Sequence, residues 1–528
     1  MSLQFIFGNS GSGKSHYLYQ QIVEESIRHP EKNYLVLVPE QFTMQTQKDL
    51  CMAHPRGGIM NIDVLSFGRL AHRVFEETGK ERQPILDDEG KNLVLRKIAG
   101  NYEDELTVLK GNLKKQGYIS EVKSVISEFT QYGIDFEQLD SFMEGLNPES
   151  YLYYKLKDIR KVYEGFEDYL RDKYITKEEL LDVLSQTVPE AKMLKDSVIA
   201  MDGFTGFTPV QNRLIGELLK VCDKIMLTVE IDRREDPFVY KHPYQLFALS
   251  KQMVTSLTEV AQEVRVEIDE PVWLCKNPSY RFKENPEMAF LEEELFRYSR
   301  RKYSGEKMRS ISLHEVHTPQ EEAQYVAEEI RRLVREEGYR YREIAVIASD
   351  LSTYADALEK ACDRYEIPVF MDHKKSILLN SFVEYLRSLL VMVEQNYTYE
   401  SVFRYLRTSL CEFTRDEVDR LENYCLALDL KGFKKWDQVW VRKTPMTTKE
   451  ELEELNHLRM RFVEKLTPLH TVLKKRKKTV KEITLAVYEY LVQEKIQEQL
   501  AELEQKFQED GELALAKEYA MIYRIVVE

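Results

Sequence analysis

At 528 residues the chain is several times the usual domain size of roughly 100–200 residues, which predicts three or four domains with ample core. Hydrophobic residues at 43%, charged residues at 31% and only 16 prolines predict a soluble globular chain and exclude a disordered one; no run of 18 apolar residues escapes interruption by charge, so no membrane span is expected and the protein should be cytoplasmic. The formal net charge of −15 excludes a surface coated for nucleic acid while leaving room for a local basic track.

The first element is a short apolar strand, Leu3 to Phe7, followed by Gly8-Asn9-Ser10-Gly11-Ser12-Gly13-Lys14-Ser15 and then a helix. This is GxxxxGK[ST] in its strand–loop–helix setting. Its glycines let successive N–H groups point inward, and the helix N-terminus adds partial positive charge to hold the β-phosphate of ATP. Lys14 is placed to reach the β- and γ-phosphates, and the Ser15 hydroxyl to ligate Mg2+. A glycine-rich turn that binds nothing is the bland alternative, disfavoured because the match is complete and in context.

A second apolar strand, Tyr34 to Val38, enters a helix through Pro39-Glu40-Gln41-Phe42-Thr43, and "NIDVLSFGRLAHRVFEETG" gives a third strand and helix. From Glu81 to about Ser185 the pattern is helical throughout, with apolar residues three and four apart in "SEVKSVISEFTQYGI" and "LKDIRKVYEGFEDYLRDKY". Strands return at Ser197–Met201 and Lys224–Glu230. Residues 1–80 and 186–300 are therefore expected to form one parallel α/β unit, interrupted by a helical insertion over 81–185. From Arg309 the chain reads strand, helix, strand, helix, strand as far as "IPVFMD", with Gly338 closing the first helix and Pro368 placing the last strand at an edge or marking its start. This predicts a second, incomplete α/β unit over 301–380 and a second helical insertion over 381–528, whose apolar end "MIYRIVVE" lacks a stop signal and is expected to be a cut.

Asp202 ends the strand "VIAM" and is the second candidate Mg2+ ligand. Hydrolysis also needs an oriented water and cations on the developing charge. Helicases of superfamily 1 end the corresponding strand in Asp-Glu, the glutamate serving the water; here Gly203 follows, and Glu230 ends a different predicted strand. The site is expected to bind ATP and to turn over little, with no catalytic residue assigned. An active motor using a glutamate not yet located is the alternative.

The six cysteines, Cys51, Cys222, Cys275, Cys362, Cys411 and Cys425, are scattered without CxxC spacing, the pattern of reduced thiols and not of a metal site. The run Lys474-Lys475-Arg476-Lys477-Lys478 suits a DNA backbone or a solvated helix end. Lys434, Lys435 and Trp436, with Trp440 nearby, suit stacking on unpaired bases or an aromatic core. His72 and His314 lack partners at ligand spacing and read as structural.

Together, "GNSGSGKS", "VPEQFT", "VLSFGRLAHRV", "DGFTGFTPVQ" and "REIAVIASDLSTYADAL" resemble the B subunits of bacterial AddAB-type ATP-dependent helicase/deoxyribonucleases over essentially the whole chain. The resemblance implies a superfamily 1 helicase-like α/β fold with two RecA-like parallel-sheet units, each carrying an all-α insertion. It further implies a heterodimer with the helicase/nuclease A subunit, a DNA substrate with a duplex end and single strands, and recognition of the hotspot sequence Chi. A nuclease domain pinned by a 4Fe–4S cluster is implied only for a C-terminal part beyond these residues, so this stretch is not expected to cut DNA. In active relatives an arginine follows the strand matching "IAVIA"; Ala348-Ser349-Asp350 stand here, a second departure from a working motor.

Overall fold

The computed structural model describes residues 1–79, 84–113, 115–171, 173–305, 308–371, 376–444 and 447–527. The chain divides into two compact units, Met1–His314 and Glu315–Glu528. Among the described residues no helix is long and apolar enough to cross a membrane, and all six cysteines are free.

The first unit is built on a parallel sheet. Its strands are β1 (Ser2–Gly8), β2 (Tyr34–Leu37), β3 (Ile62–Leu65), β6 (Val198–Met201), β7 (Lys224–Glu230), β8 (Glu267–Ile268) and β9 (Val272–Trp273), while β4 (Ile85–Leu86) and β5 (Ile175–Thr176) pair separately. The spatial order is β3-β2-β6-β7-β1-β8, with β9 also on β1. Leu3, Phe5 and Phe7 of β1 face a core that includes Leu70, Val74, Leu214, Leu218 and Leu257 from helices on one side. Ile6 faces Leu18, Ile22 and Leu50 on the other. Burial on both faces is why these strands read as unbroken apolar runs, as parallel strands under helices do. β8 and β9 occupy the β1 edge and were not legible as strands because each is only two residues long.

The insertion carries helices Asp88–Asn101, Gln116–Tyr132, Phe136–Glu144 and Tyr151–Leu170 around their own core, which includes Leu95, Ile98, Ile126, Ile159 and Phe166. The boundary expected at residues 80 and 81 lies outside the described residues. One departure from an all-helical reading is the ribbon β4–β5, which pairs Ile85 with Ile175 and so ties the entry of the insertion to its exit. Beside it, the Lys91 ammonium is buried and donates to Glu178 Oε2 at 2.7 Å.

Glu167, on the Tyr151–Leu170 helix, is pushed up to about 7, first by burial and then by the neighbouring Glu179 carboxylate. Its carboxyl binds a proton more tightly folded than unfolded, so the stability it contributes is complete below the ordinary value of 4.5 and is lost as pH rises through about 7. Glu167→Gln is therefore expected to be neutral at pH 4 and to raise unfolding stability by roughly 2 kcal/mol at pH 8, after allowance for the wet part of the carboxyl. Urea unfolding at the two pH values checks this; equal effects at both would refute it.

In the second unit, helices Pro319–Glu336 and Leu351–Arg364 pack through Ala323, Ala327, Leu358, Ala361 and Cys362. The expected strands "ISLHEV", "EIAVIA" and "IPVFM" form no ladder among the described residues, and Ile347 and Phe370 are 95% and 90% exposed. A strand is held by ladder bonds to a neighbour, and apolar sequence alone does not supply one. Asp372, at the end of the last of these segments, lies outside the described residues. Beyond Asn380, among the described residues, seven helices of eight residues or more, from Ser381–Glu394 to Leu513–Val527, surround a core that includes Phe382, Tyr385, Trp436, Phe462 and Tyr490.

Candidate nucleotide-binding site

β1 ends at Gly8, the loop follows, and the first helix, α1 (Lys14–Arg28), starts at Lys14. Gly13 caps α1 in the left-handed region at φ 92°, where a side chain is strained. Gly11, also left-handed at φ 71°, is required for a second reason: a Cβ there would stand 2.6 Å from Arg281 Cβ. No acidic residue lies in the first turn of α1 and no side chain caps it, so its first N–H groups are not taken up by the helix's own side chains.

Lys14 Nζ spans the loop, donating to Gly8 O at 2.9 Å and Asn9 O at 3.0 Å. Burial lowers its proton affinity, opposed by the charges of Glu230 and then Asp202, with Arg281 adding to the depression. A polyphosphate would supply a direct anionic partner to this half-buried ammonium, whose hydrogen bonds go to carbonyl oxygens.

Ser15 and Asp202, chosen from the sequence as Mg2+ ligands, meet: Ser15 Oγ donates to Asp202 Oδ1 at 3.1 Å. Thr228 Oγ1 donates to the same oxygen at 2.5 Å, and the Tyr19 hydroxyl donates to Oδ2 at 2.7 Å. Burial and the Asp202 charge push the Tyr19 phenol well above its ordinary range, which keeps it a donor. One hydroxyl and one carboxylate oxygen beside a phosphate loop fit Mg2+, a hard cation that takes the rest of its shell from phosphates and water. Bound there, it would neutralise phosphate charge, with Ser15 and Asp202 holding it.

Gly203 stands at φ 76°. The backbone is left-handed at the position that follows Asp202, a conformation a glutamate side chain there would rarely adopt. Substituting Gly203→Glu is strained whatever space it finds.

Several neighbours of the loop were not anticipated from the sequence. Arg281 N donates to Gly11 O at 3.0 Å, bringing an arginine to the loop although none follows "IAVIA". Asn9 Nδ2 donates to both oxygens of Glu292 at 3.1 Å. Asn9 Oδ1, Ser12 Oγ and Ser279 Oγ are buried without hydrogen-bond partners, three polar atoms at a loop where buried groups are normally satisfied. Such a cradle suits phosphate oxygens. Nothing in the sequence could have found it, because Ser279, Arg281 and Glu292 reach the loop only after β8 and β9 add to the edge of β1.

The predicted DNA contacts divide. Trp436 is 1% exposed, packed on Phe462 at 4.6 Å between ring centres, and its carbonyl accepts from Arg459; it belongs to the core and is not free to stack on bases. Trp440 is also buried, its Nε1 donating to Lys435 O. The lysines remain outside: Lys434, Lys435, Lys474, Lys475 and Arg476 are all exposed. Phe433 stacks on His470 at 3.7 Å and 11°, one helical turn before Lys474, so the two basic segments come side by side. Lys478 Nζ donates to Leu473 O, covering the end of the helix that carries Lys474.

Residues 5–292 match the family model described as ADDB, N-terminal, and residues 281–526 match the UvrD-like helicase C-terminal domain. With the parallel sheet and helices above, the fold is superfamily 1 helicase-like. The chain is 40% identical over its whole length to the B subunit of the ATP-dependent helicase/deoxyribonuclease of Lachnoclostridium phytofermentans, 33% identical to that of Clostridium perfringens and 32% to that of Clostridium novyi, covering 46% of each. It thus spans about half the length of the curated relatives it matches.

Proposed function

The chain belongs to the ADDB N-terminal family, and on that premise we propose that it is the helicase-like portion of a protein that processes DNA double-strand breaks for recombinational repair. It binds ATP with Mg2+ through Gly8 to Ser15 and Asp202, and contacts single-stranded DNA through Lys434, Lys435, Lys474, Lys475 and Arg476. At a duplex end it pairs with the helicase/nuclease A subunit of the same heterodimer. Recognition of Chi is carried over from the family resemblance. The observation that carries the nucleotide reading is the meeting of Ser15 with Asp202, 187 residues apart, at the mouth of the loop.

The site serves structure or control and is not a motor. Gly203 at φ 76° supports this, since no carboxylate follows Asp202. The competing reading, an active superfamily 1 motor, is favoured by Arg281 against the loop. Steady-state ATP hydrolysis with single-stranded DNA separates the two: turnover stays below a helicase-like rate of roughly 1 s⁻¹ if the site is not a motor. A faster rate abolished by Lys14→Ala would establish the motor instead. Co-purification with the helicase/nuclease partner tests the pairing, and failure to associate would remove that part.

A further inference from the structure

We propose that Glu230 is the carboxylate that orients and deprotonates the water attacking the γ-phosphate of ATP, reaching the site from the strand that lies between the P-loop strand and the Asp202 strand. This rests on the nucleotide-binding reading above.

The topology puts it there. β7 lies between β6 and β1, so its C-terminal end opens between Asp202 and Gly8. Glu230 is in register with Gly8, the first residue of the loop, and Ile231 N donates to Gly8 O at 3.0 Å. Side chains two residues apart on a strand point to the same face of the sheet. Thr228 points at Asp202, which also receives Ser15 from α1, so Glu230 faces the same side, toward the phosphate end of the loop. The charge of Glu230 is also the largest one acting to keep Lys14 protonated, ahead of that of Asp202.

Other carboxylates near the loop are engaged. Glu292 accepts from Asn9, and Asp232 accepts from Arg234 and Arg297. Glu230 is exposed and makes no hydrogen bond or salt bridge among the described residues, which leaves its oxygens available to a water.

In the step, the water oxygen bonds to the γ-phosphorus as the bond from that phosphorus to the β–γ bridging oxygen breaks. The water proton passes to the Glu230 carboxylate and then to the released phosphate, and ADP leaves with the electron pair of the broken bond. A long side chain with no partner to fix its rotamer holds the water loosely, so turnover is slow. The site then works as a nucleotide-state switch.

The test is single-turnover hydrolysis of radiolabelled ATP with Mg2+ by the purified protein and by Glu230→Gln, with equilibrium binding of ATP and ADP to both. The parent is expected to hydrolyse above a protein-free blank and Glu230→Gln about 10²-fold more slowly, the range of a lost general base. The variant should still bind ATP, with its preference for ATP over ADP raised about fivefold because a negative charge beside the γ-phosphate is gone. That binding shift does not depend on turnover. If thermal unfolding shows Glu230→Gln to be misfolded, Glu230→Ser takes its place with the same expectation. Parental hydrolysis by the folded variant, or ATP bound by the parent without hydrolysis above the blank, overturns the proposal. Failure of the parent to bind ATP at all is distinguishable from both and removes the nucleotide reading together with this one.

Discussion

Lys14→Ala is expected to weaken ATP binding by roughly 10- to 100-fold, the worth of hydrogen bonds made to a charged group. The ammonium lies across the loop on Gly8 O and Asn9 O, in place to turn to the phosphates. Its burial sharpens the effect, since a partly dehydrated cation gains more from an incoming anion than an exposed one. The same depression fixes the pH dependence. Affinity should hold near neutrality and fall at alkaline pH as Lys14 deprotonates below its ordinary 10.5. Calorimetric titration of ATP with Mg2+ into parent and variant at neutral and alkaline pH measures both. Equal affinity in the two proteins would mean that the loop does not hold phosphate through this lysine.

Trp436→Ala is expected to cost about 3–5 kcal/mol of unfolding stability, the range for emptying a large aromatic site in a core. Its ring packs against Phe462 and Trp440, and its carbonyl holds the buried Arg459, so the substitution opens a cavity and loosens a polar anchor together. Lys434→Ala and Lys474→Ala, by contrast, should leave stability within about 0.5 kcal/mol, as surface changes do. They should lower the salt dependence of single-stranded DNA binding by about 0.7 in slope for each phosphate contact removed. Urea unfolding and salt-titrated DNA binding provide the two readouts. A stable Trp436→Ala variant that loses DNA binding would restore the stacking role the burial rules out, and lysine variants with an unchanged salt slope would remove the proposed track.

The contrast between Trp436 and Lys434 shows where sequence reading stops. Both sit in "GFKKWDQVW", a segment equally able to face bases or a core. Its spacing does not say which residues point inward, because that depends on Phe462 and Arg459, more than twenty residues away on another helix. The expected strands of the second unit mark a related limit. "EIAVIA" has the composition of a buried strand, but composition is a property of the segment and pairing a property of its neighbours.

The sequence by itself determined the glycine-rich loop after β1, the strands β1, β2, β3, β6 and β7, the change to helical period between β3 and β6, and the absence of a carboxylate after Asp202. These were legible because each is written in local signals: an apolar run closed on both faces, a glycine pattern that only one turn satisfies, a shift of period from strand to helix. Only the tertiary structure decided that Tyr19 and Thr228 complete the Asp202 network, that Arg281, Ser279 and Glu292 reach the loop, and that Glu230 ends the strand beside Gly8. These depend on strand order. β7 inserts between β6 and β1 and β8 and β9 add beyond β1, so residues more than 200 positions apart become neighbours through backbone ladders whose partners no local pattern names.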